Sequence, residues 1–498
     1  MARPHLHPQS GHAFRPLSRK TAAHRQAALF EDSLIPREDA HISVTRHVPA
    51  LVVGGGISGL VCALALRKAG IEAQLVEASA RPGGVINSVT RDGFLLELGP
   101  QSFSGTAQLH QLCEDLGISD QVVLAPPRAS RYILIDGELR SVPLSAPALF
   151  MSSLINGATK WALVLDILGK STPPDGDESV ASFVRRKFSA QLLDRLVGPF
   201  VSGIYAGDPE RLSVRSAFPQ LYEAEKVSGS IVRGMLRLAK TKKAPRGQST
   251  LQTFRDGNQT LASAISRKLG AALLTETSLT GIVKRSDGSF AAHLDANGRQ
   301  ESVTAQSLVV TTPTEVTGKL LVSLDSQFES LMGSVEYAPV AVVSLGYRKK
   351  DVSHSLDGFG FLVPRSAGLR ILGSVWNSSL FPGRAPDGQA LLTTFVGGAT
   401  DPAVTNLKLE ELANLAHREI SPVLLIKSNP AFSHVTIWPR ALPQYNLSHG
   451  DRLARIENLR AQFPGMWLAG NYLRGPSIGS CVEQALTVAD EVRHWLAQ

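Results

Sequence analysis

A glycine-rich turn near residue 54 constrains the fold more than any other feature of this 498-residue sequence. An apolar run, Val48 to Val53, leads into Gly54-Gly55-Gly56-Ile57-Ser58-Gly59, and a helical stretch, Leu60 to Lys68, follows. In a strand–turn–helix unit of this kind, Gly54 permits a tight turn, Gly56 lets the backbone approach a pyrophosphate, and Gly59 lets helix and strand pack closely. The turn therefore predicts a dinucleotide site at the start of a doubly wound, Rossmann-like sheet.

The residues after the second predicted strand indicate which dinucleotide binds. That strand, Gln74 to Glu77, ends at an acid placed to accept hydrogen bonds from the adenosine ribose hydroxyls, and a carboxylate there would repel a 2′-phosphate. Ala78 follows, and Arg81-Pro82-Gly83-Gly84 brings a second glycine pair close to the diphosphate. This order favours FAD over NAD and disfavours NADP. We expect the FAD to be bound non-covalently, because no cysteine or histidine lies in an evident flavin-linking motif.

A second glycine-containing segment lies near the C-terminus. Trp467-Leu468-Ala469-Gly470-Asn471 predicts a strand that runs into a turn, and Ser480, Cys481 and Val482 mark a helix N-terminus before a predicted helix, Ala485 to Trp495. The backbone N–H groups of such an end stabilise negative charge at the pyrimidine edge of a flavin. Taken alone, this segment could instead be a strand and helix that close the sheet. Together the two segments predict one bound cofactor.

Composition and charge bound the remaining possibilities. With 43% apolar and 19% charged residues the chain is typical of a soluble globular enzyme. Cys62, Cys113 and Cys481 show no disulfide or metal-ligand spacing, so we expect no metal and a reducing compartment. The net charge of +8 does not select a partner by itself, and we expect no nucleic acid.

Localisation follows from the leader and from the longest apolar stretch. The first 30 residues are basic and acid-free, which favours a disordered bacterial extension over an organellar transit peptide, with the second kept open. The stretch Ala148 to Leu168 is interrupted by Asn156, Lys160 and Asp166, which argues against a spanning helix. We expect a cytoplasmic protein that at most lies on the inner face of the cell membrane.

The pattern along the chain predicts a mixed fold, α/β plus α+β. Mostly helical residues run from Ala146 to Tyr205, and the basic segment Lys240 to Arg246 is predicted to be an exposed loop. The first sheet resumes with the strands Thr275 to Val283 and Ser302 to Thr311. A second, largely antiparallel sheet is predicted from four further runs, which are Ala338 to Tyr347, Gly358 to Val363, Leu369 to Val375 and Ala390 to Val396.

Several segments beyond the cofactor motifs resemble one family. The chain is similar to the oxygen-dependent protoporphyrinogen oxidases of the flavin amine oxidase superfamily, from about residue 50 to the C-terminus. The segments that carry the resemblance are Glu97-Leu98-Gly99-Pro100, Gly203-Ile204-Tyr205-Ala206-Gly207-Asp208-Pro209, Leu212-Ser213-Val214-Arg215-Ser216-Ala217-Phe218-Pro219, Gly358-Phe359-Gly360-Phe361-Leu362-Val363-Pro364 and Leu442-Pro443-Gln444-Tyr445. The Gly203–Pro209 and Gly358–Pro364 segments are the ones specific to the porphyrinogen group.

The resemblance implies both the chemistry and the domain plan. A porphyrinogen would be oxidised to the aromatic macrocycle in three two-electron steps, by hydride loss to flavin N5, with O2 reoxidising the flavin to give H2O2. We expect an FAD-binding domain of residues 48–103, 251–315 and 455–498 and a substrate-binding domain of residues 104–117, 208–250 and 316–454. Residues 118–207 would form a helical, membrane-facing domain, and residues 1–47 a disordered basic extension.

The resemblance also implies site residues. Gly203 matches the family residue whose backbone carbonyl faces the pyrrole N–H groups, and a glycine there would leave the backbone uncovered and permit unusual backbone angles. The walls around the macrocycle would be Phe359, Leu362, Val375 and Phe395, although from the residues alone these are equally ordinary sheet core. Gly99, Pro100 and Leu279 join the residues expected to contact FAD.

One departure leaves recognition of the substrate carboxylates open. Some relatives place a cation after the Gly-Pro pair, whereas this chain has Gln101-Ser102-Phe103-Ser104-Gly105, so that either Ser104 or a cation from elsewhere, Arg131, would bind a propionate. Protoporphyrinogen IX is favoured over coproporphyrinogen III as the substrate. An amine or carotenoid oxidoreductase and a non-catalytic flavin-binding module are the remaining alternatives. A ferrochelatase and a second copy of the chain are the protein partners considered.

Overall fold

The glycine turn follows the first strand of a seven-stranded sheet, whose strands come from distant parts of the sequence. The computed structural model describes residues 43–143, 145–241 and 251–498. The sheet has the order β10-β2-β1-β13-β12-β11, and β19 pairs with β13. Its strands are β1 (Ser43–Val53), β2 (Ala73–Val76), β10 (Leu273–Leu274), β11 (Thr277–Lys284), β12 (Phe290–Ala296), β13 (Arg299–Val310) and β19 (Met466–Leu468).

Parallel pairing and burial on both faces explain the composition of the central strands. Strands β1, β2 and β10 are parallel to one another, as are β13 and β19, whereas β11, β12 and β13 form an antiparallel meander. The run Leu51–Val53 is buried, as expected for a strand with layers on both sides. The predicted β11 and β13 are confirmed, but β12 was not predicted. β1 also starts at Ser43, inside the extension expected to be disordered up to residue 47.

The helices that cover this sheet come from both ends of the chain. α1 (Ile57–Lys68) packs against the C-terminal helix α17 (Ile478–Leu496), and Leu60 and Val482 lie in the same buried cluster. The predicted C-terminal helix starts seven residues earlier than expected, because Ser477 caps it. The other helices around this sheet are α2 (Ala107–Leu116), α11 (Gln259–Leu269), α12 (Thr314–Leu321), α13 (Gln327–Gly333) and α16 (His449–Arg460).

A second seven-stranded sheet, of order β18-β14-β17-β16-β15-β7-β8, is antiparallel except for the pair β15–β7. Its strands are β7 (Arg131–Ile135), β8 (Glu138–Ser141), β14 (Tyr337–Arg348), β15 (Gly360–Leu362), β16 (Ile371–Val375), β17 (Gln389–Gly397) and β18 (Phe432–Pro443). Helices α14 (Asn377–Leu380) and α15 (Leu409–Leu424) pack on it. The prediction of a mixed α/β fold with a second, largely antiparallel sheet is confirmed.

Two small sheets complete the strands. The pair β3 (Ser88–Arg91) and β4 (Phe94–Glu97) forms one of them, and β5 (Phe103–Ser104), β9 (Leu251–Phe254) and β6 (Val122–Leu124) form the other. Strands β6, β7 and β8 lie within residues 118–207, so the first part of the expected helical domain is not helical.

The helical region begins at Ala146 and continues beyond residue 207. Its helices are α3 (Ala146–Met151), α4 (Gly157–Leu168), α5 (Val180–Lys187), α6 (Ala190–Leu192), α7 (Gly198–Tyr205), α8 (Val214–Ala217), α9 (Pro219–Ser228) and α10 (Ile231–Thr241). Phe183, Tyr205 and Ile231 share one buried cluster, which explains why the later helices belong with the earlier ones. Among the helices of the described ranges, none is long and apolar enough for a bilayer crossing.

Two expectations concern residues for which little or nothing is described. Of the expected basic extension, residues 1–47, residues 1–42 lie outside the described part of the chain, and so does the whole 30-residue leader. Of the predicted exposed loop Lys240 to Arg246, the first two residues end α10, and residues 242–246 lie outside the described part of the chain.

Candidate functional site

The three motif glycines of the first turn have different surroundings. Gly54 has φ +104°, a left-handed backbone that favours glycine, and a Cβ on Gly59 would overlap the Gly54 carbonyl. A Cβ on Gly56 would meet no atom within 4 Å, so this backbone is open to an approaching group. Gly56 caps α1 without a side-chain hydrogen bond, which leaves the first N–H groups of the helix available to a phosphate. The turn therefore fits a pyrophosphate.

Glu77 is held beside this turn by hydrogen bonds to its carboxylate. The Gly55 N–H donates to Oε2 at 2.6 Å, and the N–H and hydroxyl of Ser79 donate to Oε1 at 2.8 and 2.5 Å. Ala78 is exposed next to it. Thr277 donates from its backbone to the Glu77 carbonyl, which places the start of β11, and Leu279 two residues later, close to the acid. A carboxylate fixed at this strand end fits the ribose end of the cofactor.

The second glycine pair lies directly against the first turn. The Gly83 N–H donates to the Gly55 carbonyl at 2.8 Å, and a Cβ on Gly84 would lie 3.3 Å from the Gly56 Cα. Arg81, however, donates to the carbonyls of its own loop, to Gly84 at 2.6 Å and Ile86 at 2.7 Å. The guanidinium therefore braces the glycine pair in this geometry, and the open backbone is supplied by the glycines.

The C-terminal segment reaches the same place. The thiol of Cys481, in the first turn of α17, donates to the Gly475 carbonyl at 3.9 Å, and α17 packs against α1, whose first turn contains Ser58. Burial raises the pKa of Cys481 to about 11, so the thiol stays protonated. Ser480 donates from its backbone to the Ser477 cap, and Val482 is fully buried. The two helix N-termini therefore lie against each other, as one extended cofactor requires.

The turn before α17 is fixed by buried partners. Gly470 has φ +157° and its N–H donates to Gln484 Oε1 at 3.0 Å. The Asn471 carbonyl accepts a hydrogen bond from the Tyr445 hydroxyl at 2.5 Å. The sequence analysis placed Gly470 and Asn471 in the site but gave Tyr445 no role.

The Gly99–Pro100 segment lies between the loop before α11 and strand β18 of the second sheet. A Cβ on Gly99 would overlap the Val85 carbonyl, so glycine is required by this close approach. The carbonyl of Pro100 accepts from Asn258 Nδ2 at 2.8 Å. On the other side, Trp438 Nε1 donates to the Leu98 carbonyl at 2.6 Å, so β18 holds this segment too. Sequence reasoning missed Trp438, because a tryptophan in a strand carries no signal of a contact 340 residues away.

The predicted wall residues share one face of the second sheet. Leu362 pairs with Gly373, which pairs with Phe395, so these residues form one row across β15, β16 and β17. Val375 pairs with Gly360 in the neighbouring row, two residues along each strand, and therefore faces the same side. Leu362, Val375 and Phe395 are only half-buried, and a Cβ on Gly373 would lie 3.2 Å from Leu362 Cδ2, so the Leu362 side chain packs over this glycine. Phe359 packs with Val375 at the edge of this face.

Gly203 lies against this face, but not for the expected reason. It is inside α7 and has no left-handed φ, so the expected unusual backbone angle is wrong. A Cβ on Gly203 would instead lie 2.8 Å from Leu362 Cδ2. The last bond of the helix ladder runs from the Ala206 N–H to the Ser202 carbonyl, which leaves the Gly203 carbonyl without a partner in the helix.

Of the two candidates for carboxylate recognition, Arg131 has the better geometry. Arg131 pairs with Gly360 in the β7–β15 ladder, and its guanidinium lies 5.8 Å from the centre of the Phe359 ring. It is exposed, and in the described part of the chain no carboxylate forms an ion pair with it. Ser104 is also exposed; it pairs with Leu251, which packs near Phe359. Both therefore lie near the apolar face, and only Arg131 supplies charge.

Comparison with known proteins agrees with this geometry. The profile of the flavin-containing amine oxidoreductases matches residues 57–493. A chloroplastic protoporphyrinogen oxidase of Oryza sativa subsp. japonica is 36% identical, covering 90% of this chain and 88% of that protein. The coproporphyrinogen III oxidase of Bacillus subtilis is 29% identical, covering 91% and 98%.

A solved structure shows the same fold along nearly the whole chain. It comes from Exiguobacterium sp. and is provisionally named a protoporphyrinogen oxidase; it is 26% identical with a TM-score of 0.75, covering 91% of this chain and all of that one. FAD is the cofactor that this family and the two bracketing motifs share. The chain belongs to the flavin-containing amine oxidoreductases and, among them, to the protoporphyrinogen oxidase family.

Proposed function

We propose that this protein oxidises protoporphyrinogen IX to protoporphyrin IX with FAD and O2. The observation that carries the proposal is the apolar row of Leu362, Gly373 and Phe395, with Gly203 on one side and the exposed cation Arg131 at its edge. A large, mostly apolar macrocycle with acidic side arms needs such a surface. The names of the relatives at 33–36% identity support this choice of substrate.

The cofactor would be held by the residues that line the two facing turns. The open Gly56 backbone and the first turn of α1 would receive the diphosphate, Glu77 the ribose, and the turn at Gly470 with the first turn of α17 the flavin end. When bound, FAD supplies a two-electron acceptor that O2 reoxidises with formation of H2O2. The remaining contribution of the chain is positioning and exclusion of water.

The apolar face would hold the macrocycle with one edge toward the cofactor. Leu362, Val375 and Phe395 would exclude water from the methylene bridge that reacts, and Phe359 would close the side next to Arg131. The free carbonyl of Gly203 would accept hydrogen bonds from the pyrrole N–H groups, which face inward from a ring of this size. A carbonyl accepts without titrating, so it can orient all three two-electron steps in the same way.

Arg131 would bind one propionate of the substrate. Its guanidinium offers a charge-assisted, two-point contact to a carboxylate, and the Phe359 ring beneath it restricts its orientation. Protoporphyrinogen IX presents two propionates and coproporphyrinogen III four. Coproporphyrinogen III is therefore the second candidate, supported by the Bacillus subtilis and Staphylococcus aureus relatives at 29 and 28% identity.

A side-by-side assay tests the proposed substrate. The purified protein with bound FAD would be mixed anaerobically with protoporphyrinogen IX or with coproporphyrinogen III while flavin absorbance is followed, and air would then be admitted while porphyrin fluorescence is followed. We expect both signals with protoporphyrinogen IX, with a higher kcat/KM in air than for coproporphyrinogen III. A higher kcat/KM for coproporphyrinogen III would make that compound the preferred substrate. No flavin bleaching with either compound would reject the function.

We further propose that part of the helical region rests on a membrane surface. Trp161, Leu165 and Leu168 lie four and three residues apart, on one side of α4, and are 62, 51 and 72% exposed. On α10, which contacts α4, Leu236 is 61% exposed. An exposed apolar patch of this extent on two packed helices is typical of a binding surface, and an apolar substrate would be delivered most easily from a lipid phase.

A further inference from the structure

Two adjacent residues, Gln444 and Tyr445, connect the helix that carries Gly203 with the turn before α17. They end the Leu442–Tyr445 motif, directly after β18, and are 3 and 2% exposed. Gln444 Nε2 donates to the Tyr205 carbonyl at 2.8 Å, and the Tyr445 hydroxyl donates to the Asn471 carbonyl at 2.5 Å. Neighbouring residues of one chain cannot separate, so the two accepting segments are held at a fixed spacing.

On the substrate side, the bond stabilises the end of α7. Tyr205 is the last residue of this helix, two residues after Gly203, and its carbonyl is one of those that a helix leaves unpaired. Its hydroxyl donates to the Ala217 carbonyl at 2.8 Å, and the Ala399 N–H donates to the Ala206 carbonyl at 2.7 Å. The end of α7 is therefore bound from three directions, and Gln444 supplies the contact closest to Gly203.

On the cofactor side, the turn is held through two consecutive carbonyls. The Tyr445 ring stacks on His449 with centres 4.4 Å apart and planes 10° apart. His449 Nε2 lies 2.9 Å from the Tyr472 carbonyl. Burial lowers the pKa of His449 to about 4, so the ring is neutral at physiological pH and carries its proton on the nitrogen that donates. Asn471 and Tyr472 lie between Gly470 and Gly475, and both glycines have positive φ. Without these hydrogen bonds the backbone of this turn could adopt several other conformations.

We propose that Gln444 and Tyr445 are positioning residues that set the distance between the porphyrinogen and the flavin. Gln444 fixes the Gly203 carbonyl through the end of α7, and Tyr445 fixes the 470–475 turn that meets the flavin end. The proposal rests on the placement of FAD and substrate given under the proposed function. It predicts that the two neighbours affect different ligands. Loss of the Tyr445 hydroxyl disturbs cofactor binding, and loss of the Gln444 amide disturbs macrocycle binding.

Tyr445→Phe tests the cofactor half. Without the hydroxyl the Asn471 carbonyl loses its donor, and a less ordered turn must be organised when FAD binds, so we expect at least about fivefold weaker FAD binding by the apo-protein. We also expect a changed circular dichroism spectrum in the flavin absorption bands. Tyr347→Phe is the matched control, because Tyr347 is also buried and its hydroxyl lies 2.9 Å from His417 Nδ1, in a contact between β14 and α15. A wild-type FAD dissociation constant and spectrum in Tyr445→Phe, or equal changes in both variants, would overturn the proposal.

Gln444→Met tests the substrate half. It keeps the length of the side chain and removes the donor to Tyr205, so we expect about tenfold weaker binding of protoporphyrin IX, measured by fluorescence quenching, with FAD binding within twofold of wild type. Equal losses of FAD and porphyrin binding would indicate a general structural role and reject the assignment. Neither measurement requires turnover, so an absence of porphyrinogen oxidation in the wild-type protein would reject the proposed function and leave the Tyr445 result interpretable.

Discussion

Gly203 leaves room for the Leu362 side chain, and one added methyl group would remove that room. We expect Gly203→Ala to raise KM about tenfold when the rates are normalised to bound flavin. The reason is that Leu362 Cδ2 lies 2.8 Å from the new Cβ and must move into the apolar face. Because residue 203 is helical, alanine should not lower the melting temperature, and it adds up to about 1 kcal/mol of helix propensity. A lower melting temperature with unchanged KM would mean that Gly203 has only a structural role.

Arg131 is the residue whose charge should matter most to the substrate. Arg131→Gln keeps much of the side chain and removes the charge, so we expect a loss of about 1.5 to 3 kcal/mol in transition-state binding, or roughly 10- to 150-fold in kcat/KM. Steady-state kinetics with protoporphyrinogen IX measure it. Arg285→Gln, on the β11–β12 hairpin of the first sheet, is the control and should behave as wild type. Equal values for the two variants would exclude Arg131 from propionate binding.

Among the helices, α4 and α10 are joined by one buried carboxylate. Asp166 accepts from the N–H groups of Ile231 and Val232 at the start of α10 and from the Ser230 hydroxyl, and it pairs with Lys187 at 2.7 Å. Burial alone would raise the pKa of Asp166, but the hydrogen bonds, with that of Lys187 foremost, together lower it below its usual value.

The lowered pKa predicts how stability depends on pH. The contribution of ionised Asp166 is complete above its unfolded pKa of about 3.9 and is lost as the pH falls through the lower folded value. Asp166→Asn breaks a buried pair, so we expect about 3 to 5 kcal/mol of destabilisation at pH 7 and a smaller difference from wild type in strong acid. Urea unfolding at several pH values measures both. Asp115→Asn, at an exposed pair with Lys68, should cost about 0 to 1 kcal/mol; an equal cost would contradict the prediction.

At the scale of the molecule, a buried ion pair joins the second sheet to the two small sheets. Glu97, which precedes the Gly99–Pro100 segment, pairs at 3.0 Å with Arg384 from the loop before β17, and both side chains are at most 2% exposed. Arg384 also donates to Thr253 and to the Phe254 carbonyl. The pair thus holds β4, which leads into the Gly99–Pro100 segment, against β9 and the loop before β17.

The exposed apolar patch predicts how the whole protein distributes between water and lipid. We expect the double variant Trp161→Ser, Leu168→Ser to bind anionic phospholipid vesicles at least about tenfold more weakly than wild type, because two large side chains leave the contact. Sedimentation with vesicles measures it. Val283→Ser, 52% exposed on the first sheet, is the control. Retained binding in the double variant, or no binding in the wild type, would contradict the membrane proposal.

Several predictions about the candidate site rest on one short segment that meets the whole physical requirement. The Gly54–Gly59 turn, the acid at Glu77 and the cap region before α17 are local, because a glycine, a strand-end acid and a helix N-terminus each act within a few residues. The second sheet was also recognisable, since its strands alternate at the period of a pleated face. The error at Gly203 had the opposite origin: its glycine is required by Leu362, which is distant in sequence.

The sequence by itself determined the cofactor motif and the two-sheet α/β fold, because these depend on local backbone chemistry and on hydrophobic periodicity, and its quoted segments carried the resemblance to the family. Only the tertiary structure decided which residues share the apolar face, since that depends on the register of β15, β16 and β17, whose strands approach across loops of unrelated length. It also decided that helices up to Thr241 join the helical region, and that Gln444 and Tyr445 connect α7 with the turn before α17. Contacts between residues that are tens to hundreds of positions apart leave no periodic or compositional mark, so they appear only when the chain is folded.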